Sequence, residues 1–248
     1  VLRKLQAGET ARIPIIIITG RDKQAIVNHF DKSFELEYRL REKKKFALLK
    51  KVSNISEMAN IHYIRQKEPL GLGHAVLCAK SFVGNEPFAL FLADDIIDSE
   101  KPAMNQLMDV FDKYKTGVIG VQEVPEAKVS SYGIIKAKLA EDRIYKIEDL
   151  LEKPAPAFAP SRLAVVGRYI LPPEIMDILP LTTKGYGGEI QLTDALRMLN
   201  RKNPLYALQF EGKRHDVGEK IGYVQATIEY ALKDKETSKD LRAFLKSL

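Results

Sequence analysis

Along the chain, short apolar runs without a polar break alternate with longer stretches in which apolar residues recur at helical spacing. The first pattern marks strands buried on both faces, and the second marks helices that cover them. Ile13 to Thr19 is largely β-branched and predicts an interior parallel strand, and Ile61 to Arg65 predicts a second. Phe88 to Asp95 is an unbroken apolar run ending in two carboxylates, which reads as a doubly buried strand delivering acid groups to the sheet's edge. Gly117 to Val124, Leu163 to Leu171 and Leu205 to Phe210 continue the series. Two short strands about a turn at Glu141-Asp142 form an antiparallel excursion near residues 132 to 150.

Helices are expected between the runs. Val1 to Leu5 reads as the last turns of a helix already under way. Asp22 caps a helix reaching about Phe30, and Ser33 to Leu49 continues as one charged helix. Met104, Leu107, Met108 and Phe111 form a core stripe on a helix ending near Tyr114. Gly187-Gly188 opens a helix with Leu192, Leu196 and Leu199 turned inward. Glu219 to Lys233 and Lys239 to Leu248 make two final helices. On the last, Leu241, Phe244, Leu245 and Leu248 share an apolar face for packing on the body or on another subunit. The alternation gives an α/β fold with a mostly parallel, mixed sheet flanked by helices.

Composition narrows the functional classes. At 248 residues the chain suits one large domain or two unequal ones, and one is preferred, with no repeat or linker to divide it. A hydrophobic content of 45% beside 29% charged residues is ordinary for a globular protein. No run approaches the roughly 18 apolar residues of a membrane span, and no secretory leader is evident, so the expected setting is cytoplasmic and away from membranes. The net charge of +6 centres on Arg39, Arg41, Lys43, Lys44, Lys45, Lys50 and Lys51. These alternate with Glu35, Glu37 and Glu42 and lack interleaved aromatic residues, so a solvated helix face explains them better than nucleic acid does. The single cysteine, Cys78, excludes an intrachain disulfide and sits in an apolar helical pattern.

The candidate chemistry gathers at strand ends, where open α/β sheets place ligands. Asp94 or Asp95 could hold a hard cation such as Mg²⁺, and Asp216 arrives at another strand end before a glycine turn. Gln66 to Ala75 contains Gly-Leu-Gly-His-Ala, whose glycines admit a close ligand, while Gln66 can make paired hydrogen bonds to a base edge. His74, on a first helical turn, reads as a structural hydrogen-bonder. Glu152 and Lys153 alternate sides if extended, as one cleft-facing residue and one solvent-facing residue or as a surface ion pair. Gly167 marks a close approach by a ligand or another backbone, and Glu189 is explained by the helix dipole alone.

Seven motifs then occur in a telling order: Gln66 through Ala75, Leu92-Ala-Asp-Asp95, Tyr132-Gly-Ile134, Glu152-Lys-Pro154, Val166-Gly-Arg-Tyr169, Gly188-Glu-Ile-Gln-Leu-Thr-Asp194 and His215-Asp-Val-Gly218. Together they resemble the bacterial UTP:glucose-1-phosphate uridylyltransferases, or UDP-glucose pyrophosphorylases, over essentially the whole chain. The resemblance implies a single glycosyltransferase-A-like nucleotidyltransferase domain over 1–248, with a sugar-binding part near 130–215 and C-terminal helices from about 219. It implies that UTP and glucose 1-phosphate yield UDP-glucose and pyrophosphate with Mg²⁺, in a homodimer or homotetramer. By matching position, Gln66 and Gly71 would recognise uracil, and Asp94 with Asp216 would hold the metal. Gly133, Glu152, Glu189 and the segment from Val165 to Tyr169 would line the glucose pocket, and Lys153 would reach the sugar phosphate.

One departure stands out. The family's glycine-rich Gly-x-Gly-Thr-Arg loop and the Pro-Lys segment after it have no counterpart here, so the expectation is that a first βα unit, upstream of Val1, is missing from this sequence. If that unit is truly absent, little turnover and an open sheet edge are expected. The competing readings are a thymidylyltransferase acting on the same sugar phosphate and a non-catalytic sugar-nucleotide-binding protein.

Overall fold

A computed structural model describes residues 14–248. The expectations placed on Val1 to Leu5 and on Ile13 lie outside the described residues. In chain order the elements are β1 (Pro14–Thr19), α1 (Gln24–Phe30), α2 (Phe34–Glu42), α3 (Phe46–Glu57), β2 (Asn60–Arg65), α4 (Leu72–Leu77) and α5 (Lys80–Val83). Then come β3 (Phe88–Phe91), β4 (Asp95–Asp98), α6 (Ala103–Tyr114), β5 (Val118–Glu123), β6 (Gly133–Glu141), β7 (Ile144–Glu152) and β8 (Leu163–Leu171). The remainder is α7 (Ile175–Ile178), α8 (Leu192–Lys202), β9 (Tyr206–Gln209), β10 (Lys213–Asp216), α9 (Lys220–Lys233) and α10 (Ser238–Lys246). The chain divides into two compact units, one comprising residues up to Phe88 with Pro173–Met198, the other Ala89–Pro172 with Leu199–Leu248.

In the first unit β1 and β2 pair in parallel, from Pro14 opposite Asn60 to Thr19 opposite Arg65. Among the described residues β2 is the one strand partner of β1, and Ile15 is 44% exposed, so the interior placement expected for this run is not observed. Two helix expectations also need correction. Asp22 does not cap α1, because its φ of 64° takes it out of the extended geometry a capping residue adopts; Lys23 stands at the cap position. The helix expected over Ser33 to Leu49 is two helices. Lys44 turns left-handed at φ 54°, and the Lys44 and Lys45 amides donate to the Arg41 and Leu40 carbonyls, the paired bonds of a Schellman stop. The basic run therefore sits where cations meet the carbonyl end of α2.

The second unit holds a six-stranded sheet in the order β3-β8-β5-β9-β7-β6. β5 pairs in parallel with β9 and antiparallel with β8, while β6 and β7 form an antiparallel hairpin, so the sheet is mixed. The hairpin strands run nine residues each and turn through Arg143 at φ 52°. α6 packs on β5 and β8, burying Met104, Leu107 and Met108 as its stripe requires. Full burial of one Leu or Met side chain is worth roughly 1.5–3 kcal/mol, so this stripe contributes substantially to holding the helix on the sheet. The run from Phe88 to Asp95 is not one doubly buried strand: β3 stops at Phe91 on the edge of the sheet, and Asp95 opens β4 instead. The break follows from a turn, in which the Leu92 amide donates to the Gly167 carbonyl at 2.9 Å and the Asp95 amide to that of Leu92 at 3.4 Å.

β4 pairs antiparallel with β10, and α9 follows β10 with Gly222 so close to the Asp216 carbonyl that a Cβ could not fit. α10 packs on α9; Leu241 is half-buried, whereas Phe244, Leu245 and Leu248 are exposed. Among the described residues no helix is long and apolar enough to cross a membrane.

Candidate active site

The β4–β10 ladder sets Asp95 opposite Asp216, and one step further the Val217 amide donates to the Asp94 carbonyl at 2.8 Å. This brings the chain to Gly218, where an added Cβ would lie 3.3 Å from both Asp94 Oδ2 and Asp216 Oδ1. The two carboxylates thus face one small space that a side chain would fill. The other oxygen of Asp216, Oδ2, accepts from the Tyr132 hydroxyl at 2.9 Å and from Arg214 Nη2 at 3.0 Å. Two hard oxygen donors around an open point fit a divalent cation such as Mg²⁺, which completes its shell with water and phosphate oxygens. Among the described residues no group of three or more His, Cys, Asp or Glu side chains forms a fuller cage.

The residues by themselves left Asp94 and Asp95 open as metal ligands, and the family resemblance pointed to Asp94. Asp94 is exposed, while Asp95 is 6% exposed and fully engaged. Its Oδ2 accepts from the Gly167 amide at 2.9 Å and its Oδ1 from Arg214 Nε. The close approach expected at Gly167 is therefore by side chains, since a Cβ there would lie 2.5 Å from Leu92 Cβ and 2.7 Å from Asp95 Oδ2. Burial works against the charge of Arg214, yet its hydrogen bond with Tyr132 and the adjacent Asp95 carboxylate hold its pKa above the ordinary arginine value. Arg168 donates to the carbonyls of Leu92, Gly167 and Asp95, and burial lowers its pKa against the opposing pull of Asp95 and Asp94.

The hairpin supplies a second group of residues in the same unit. Gly133 lies opposite Glu152, and the Lys153 amide donates to the Tyr132 carbonyl at 3.0 Å. Lys153 is not extended, as the alternation with Glu152 assumed: its φ is 45°, a left-handed conformation costly for a residue with a Cβ. The start of the hairpin rests on a small core of Val124, Val129, Ile134 and Ala164, against which Tyr132 packs. On β8, Val165, Gly167 and Tyr169 alternate onto one face, and β5 pairs with two of them as Val121 with Val165 and Ile119 with Tyr169. Burial, then the charges of Glu152, Asp95 and Asp94, push the Tyr169 phenol well above its usual range. The charges acting on Tyr169 therefore come from carboxylates of both groups.

In the first unit Gln66 is half-buried after β2. Its amide nitrogen lies 3.1 Å from the Gly71 carbonyl and 2.9 Å from His74 Nδ1. Both donor hydrogens are used, so paired hydrogen bonds to a base are not open to Gln66, and only Oε1 is left as an acceptor. His74 has the structural role expected of it. Gly71 has φ 106°, and a Cβ on it would meet Glu189 Cβ and the Ile190 carbonyl at 2.8 Å each. Glu189 lies in extended backbone before α8 and not in its first turn, so the dipole explanation does not hold for it; Asp194 is the acidic residue of that turn.

Sequence reading brought together Asp94, Asp216, Gly133, Glu152, Lys153, Val165 and Tyr169, all of which belong to the second unit. Gln66, Gly71 and Glu189 belong to the first. It missed the anchoring partners Arg214 and Tyr132. Arg214 offered one signal, because residues two apart on a strand share a face and a cation beside a carboxylate there implies a pair.

Residues 10–233 match the nucleotidyl transferase family. A UTP–glucose-1-phosphate uridylyltransferase of Staphylococcus epidermidis is 54% identical over 243 residues, covering 98% of this chain and 84% of that protein. A solved UDP-glucose pyrophosphorylase complexed with UDP-glucose superposes with a TM-score of 0.82 at 39% identity, over 94% of this chain and 86% of that one. A UTP-bound UGPase from Acinetobacter baumannii gives 0.86 at 36% identity, over 95% and 82%. The chain belongs to the nucleotidyl transferase family, among its UTP–glucose-1-phosphate uridylyltransferases.

Proposed function

We propose that this chain forms UDP-glucose and pyrophosphate from UTP and glucose 1-phosphate, and that the residues described above carry the reaction. The observation that supports it most is the pairing of Asp94 and Asp216 about Gly218 in a chain so similar to a named uridylyltransferase. Both units contribute to one nucleotidyltransferase domain in this reading, since the family match runs through parts of each.

The sugar phosphate is already an anion, so its oxygen attacks the α-phosphorus of UTP without a base. The new P–O bond forms as the bond from the α-phosphorus to the bridging oxygen breaks, and pyrophosphate leaves with that electron pair. The work of the protein is alignment and charge compensation. Asp94 and Asp216 would hold Mg²⁺, which when bound neutralises phosphate charge. Lys153 meets the sugar phosphate, its left-handed backbone fixing the direction in which the ammonium leaves the hairpin. Gln66 Oε1 accepts from the base, and Gly71 holds the loop beside it, its close neighbours being Glu189 and Ile190 and not the open space that the sequence suggested. Gly133, Glu152, Val165, Tyr169 and Glu189 bind glucose through its hydroxyls and apolar ring face. A cytoplasmic setting and a homodimer or homotetramer complete the reading and rest on the family resemblance.

The test is pyrophosphate release from UTP and glucose 1-phosphate, with Mg²⁺ and with excess chelator. Release that requires the cation, and that dTTP supports less well, is the expected result. Tight UDP-glucose binding with no release under any condition would replace the enzyme with a binding protein.

A further inference from the structure

Asp216 is held by more than its place on β10. Arg214, two positions earlier on the same strand, reaches in two directions: Nε donates to the Asp95 carboxylate and Nη2 to Asp216 Oδ2 at 3.0 Å. Nη1 lies 3.2 Å from the Tyr132 hydroxyl, which itself donates to the same Asp216 oxygen at 2.9 Å. The guanidinium also sits over the Tyr132 ring, 5.0 Å from its centroid. The Arg214 side chain is only 12% exposed, and Asp95, its other anchor, is fixed by the Gly167 amide. A triangle of Arg214, Tyr132 and Asp95 therefore immobilises Oδ2 of Asp216. The carboxylate is left one orientation, with Oδ1 toward Asp94 and Gly218.

We propose that Arg214 and Tyr132 are positioning residues that tether Oδ2 of Asp216 to Asp95, so that Oδ1 is presented beside Asp94 to the divalent cation. The inference rests on the reading of Asp94 and Asp216 as the cation's carboxylates. A tethered carboxylate binds without first losing its rotational freedom, and partners behind a ligand commonly contribute about 10–100-fold in metal affinity. The positive charge of Arg214 also lets three carboxylates, Asp94, Asp95 and Asp216, stand close together before any cation arrives.

The experiment measures Mn²⁺ binding to the 248-residue chain by loss of the free-ion EPR signal, in Tyr132→Phe, Arg214→Lys, Asp94→Ala and Asp216→Ala. UDP-glucose affinity in EDTA and thermal melting are measured alongside. The expected result is little or no Mn²⁺ binding in the two aspartate variants. Tyr132→Phe should bind about 10-fold more weakly, the worth of one hydrogen bond of about 1.4 kcal/mol, and Arg214→Lys about 10–100-fold more weakly. UDP-glucose affinity in EDTA should stay at the unmutated value in Tyr132→Phe, which a general loss of structure would not allow. If Arg214→Lys fails to fold, Tyr132→Phe alone decides. Unmutated Mn²⁺ affinity in Tyr132→Phe, with binding lost in Asp216→Ala, overturns the positioning role and leaves the cation site standing. Unmutated affinity in both aspartate variants overturns the cation site and the positioning role with it.

Discussion

Asp94 and Asp95 are neighbours in sequence with opposite commitments: Asp95 is buried between the Gly167 amide and Arg214, whereas Asp94 is exposed and turned toward Gly218 and Asp216. Asp95→Ala leaves Arg214 buried without its main counter-charge and should cost about 3–5 kcal/mol. Asp94→Ala removes no such partner and should change stability by no more than about 0.5 kcal/mol, while lowering pyrophosphate release at least about 100-fold. Urea denaturation and the release assay, run on both variants, separate the two. Equal loss of stability in both would contradict the assignment.

Gly218→Ala tests the space between the carboxylates directly. The methyl carbon would stand 3.3 Å from both Asp94 Oδ2 and Asp216 Oδ1, tight for the protein but obstructive for an ion. The expected outcome is a melting temperature near that of the unmutated chain with a cation requirement displaced upward about tenfold or more. A titration of activity against Mg²⁺ reads this, and an unchanged midpoint would place the cation elsewhere.

Gly71→Ala should weaken nucleotide binding as well as the fold of its loop. At φ 106° an alanine is strained, and its Cβ would collide with Glu189 and the Ile190 carbonyl. The loop must move, and the geometry of the Gln66–Gly71 hydrogen bond moves with it. Calorimetric titration with UTP should show weakened binding, beside a folding cost of about 1–3 kcal/mol for the overpacking. Undiminished affinity would dissociate this loop from the base.

Lys153 combines an unfavourable backbone with a proposed charge contact. Lys153→Gly relieves a left-handed conformation worth roughly 1–2 kcal/mol, partly offset by the greater freedom of glycine in the unfolded chain, about 0.5–1 kcal/mol. These backbone terms nearly cancel, so the protein should remain folded while turnover falls by orders of magnitude. Retained turnover would confine Lys153 to a structural role.

A pH effect is expected at the tip of the hairpin, away from the carboxylates. The Tyr114 hydroxyl donates to Glu141, and that bond, with some burial and the Glu141 charge, pushes the phenol up to about 12 from an ordinary 10.0. Below pH 10 both folded and unfolded chains keep the proton, and the contribution to stability is complete. Between about pH 10 and 12 the unfolded chain loses its proton first, so stability falls as pH rises. Melting curves of Tyr114→Phe should converge on those of the unmutated chain across this window. Parallel curves from pH 9 to 12 would contradict the linkage.

Much of this arrangement could be read from the amino-acid order, and the limits have physical causes. Leu163–Leu171 is legible to the residue, because a central strand between two others must be apolar on both faces. The break between α2 and α3 was not, since Lys43, Lys44 and Lys45 all suit a helix interior and only the left-handed turn at Lys44 reveals the stop. Nor could order alone separate Asp94 from Asp95, whose fates are decided by Arg214, 119 positions away from Asp95.

The hydrogen bonds of Gln66 would decide which bases the proposed site accepts. With both amide hydrogens turned inward, to Gly71 and His74, Gln66 in the proposed reading would offer a base only the lone pairs of Oε1. An Oε1 placed opposite N3 would accept the hydrogen that uracil and thymine carry there, whereas cytosine would present it with a lone pair. Discrimination of that kind would be between proton patterns, blind to the methyl group that separates uracil from thymine. Preference for one of those two must be enforced by groups that touch the C5 edge of the ring or the 2′-hydroxyl of the sugar.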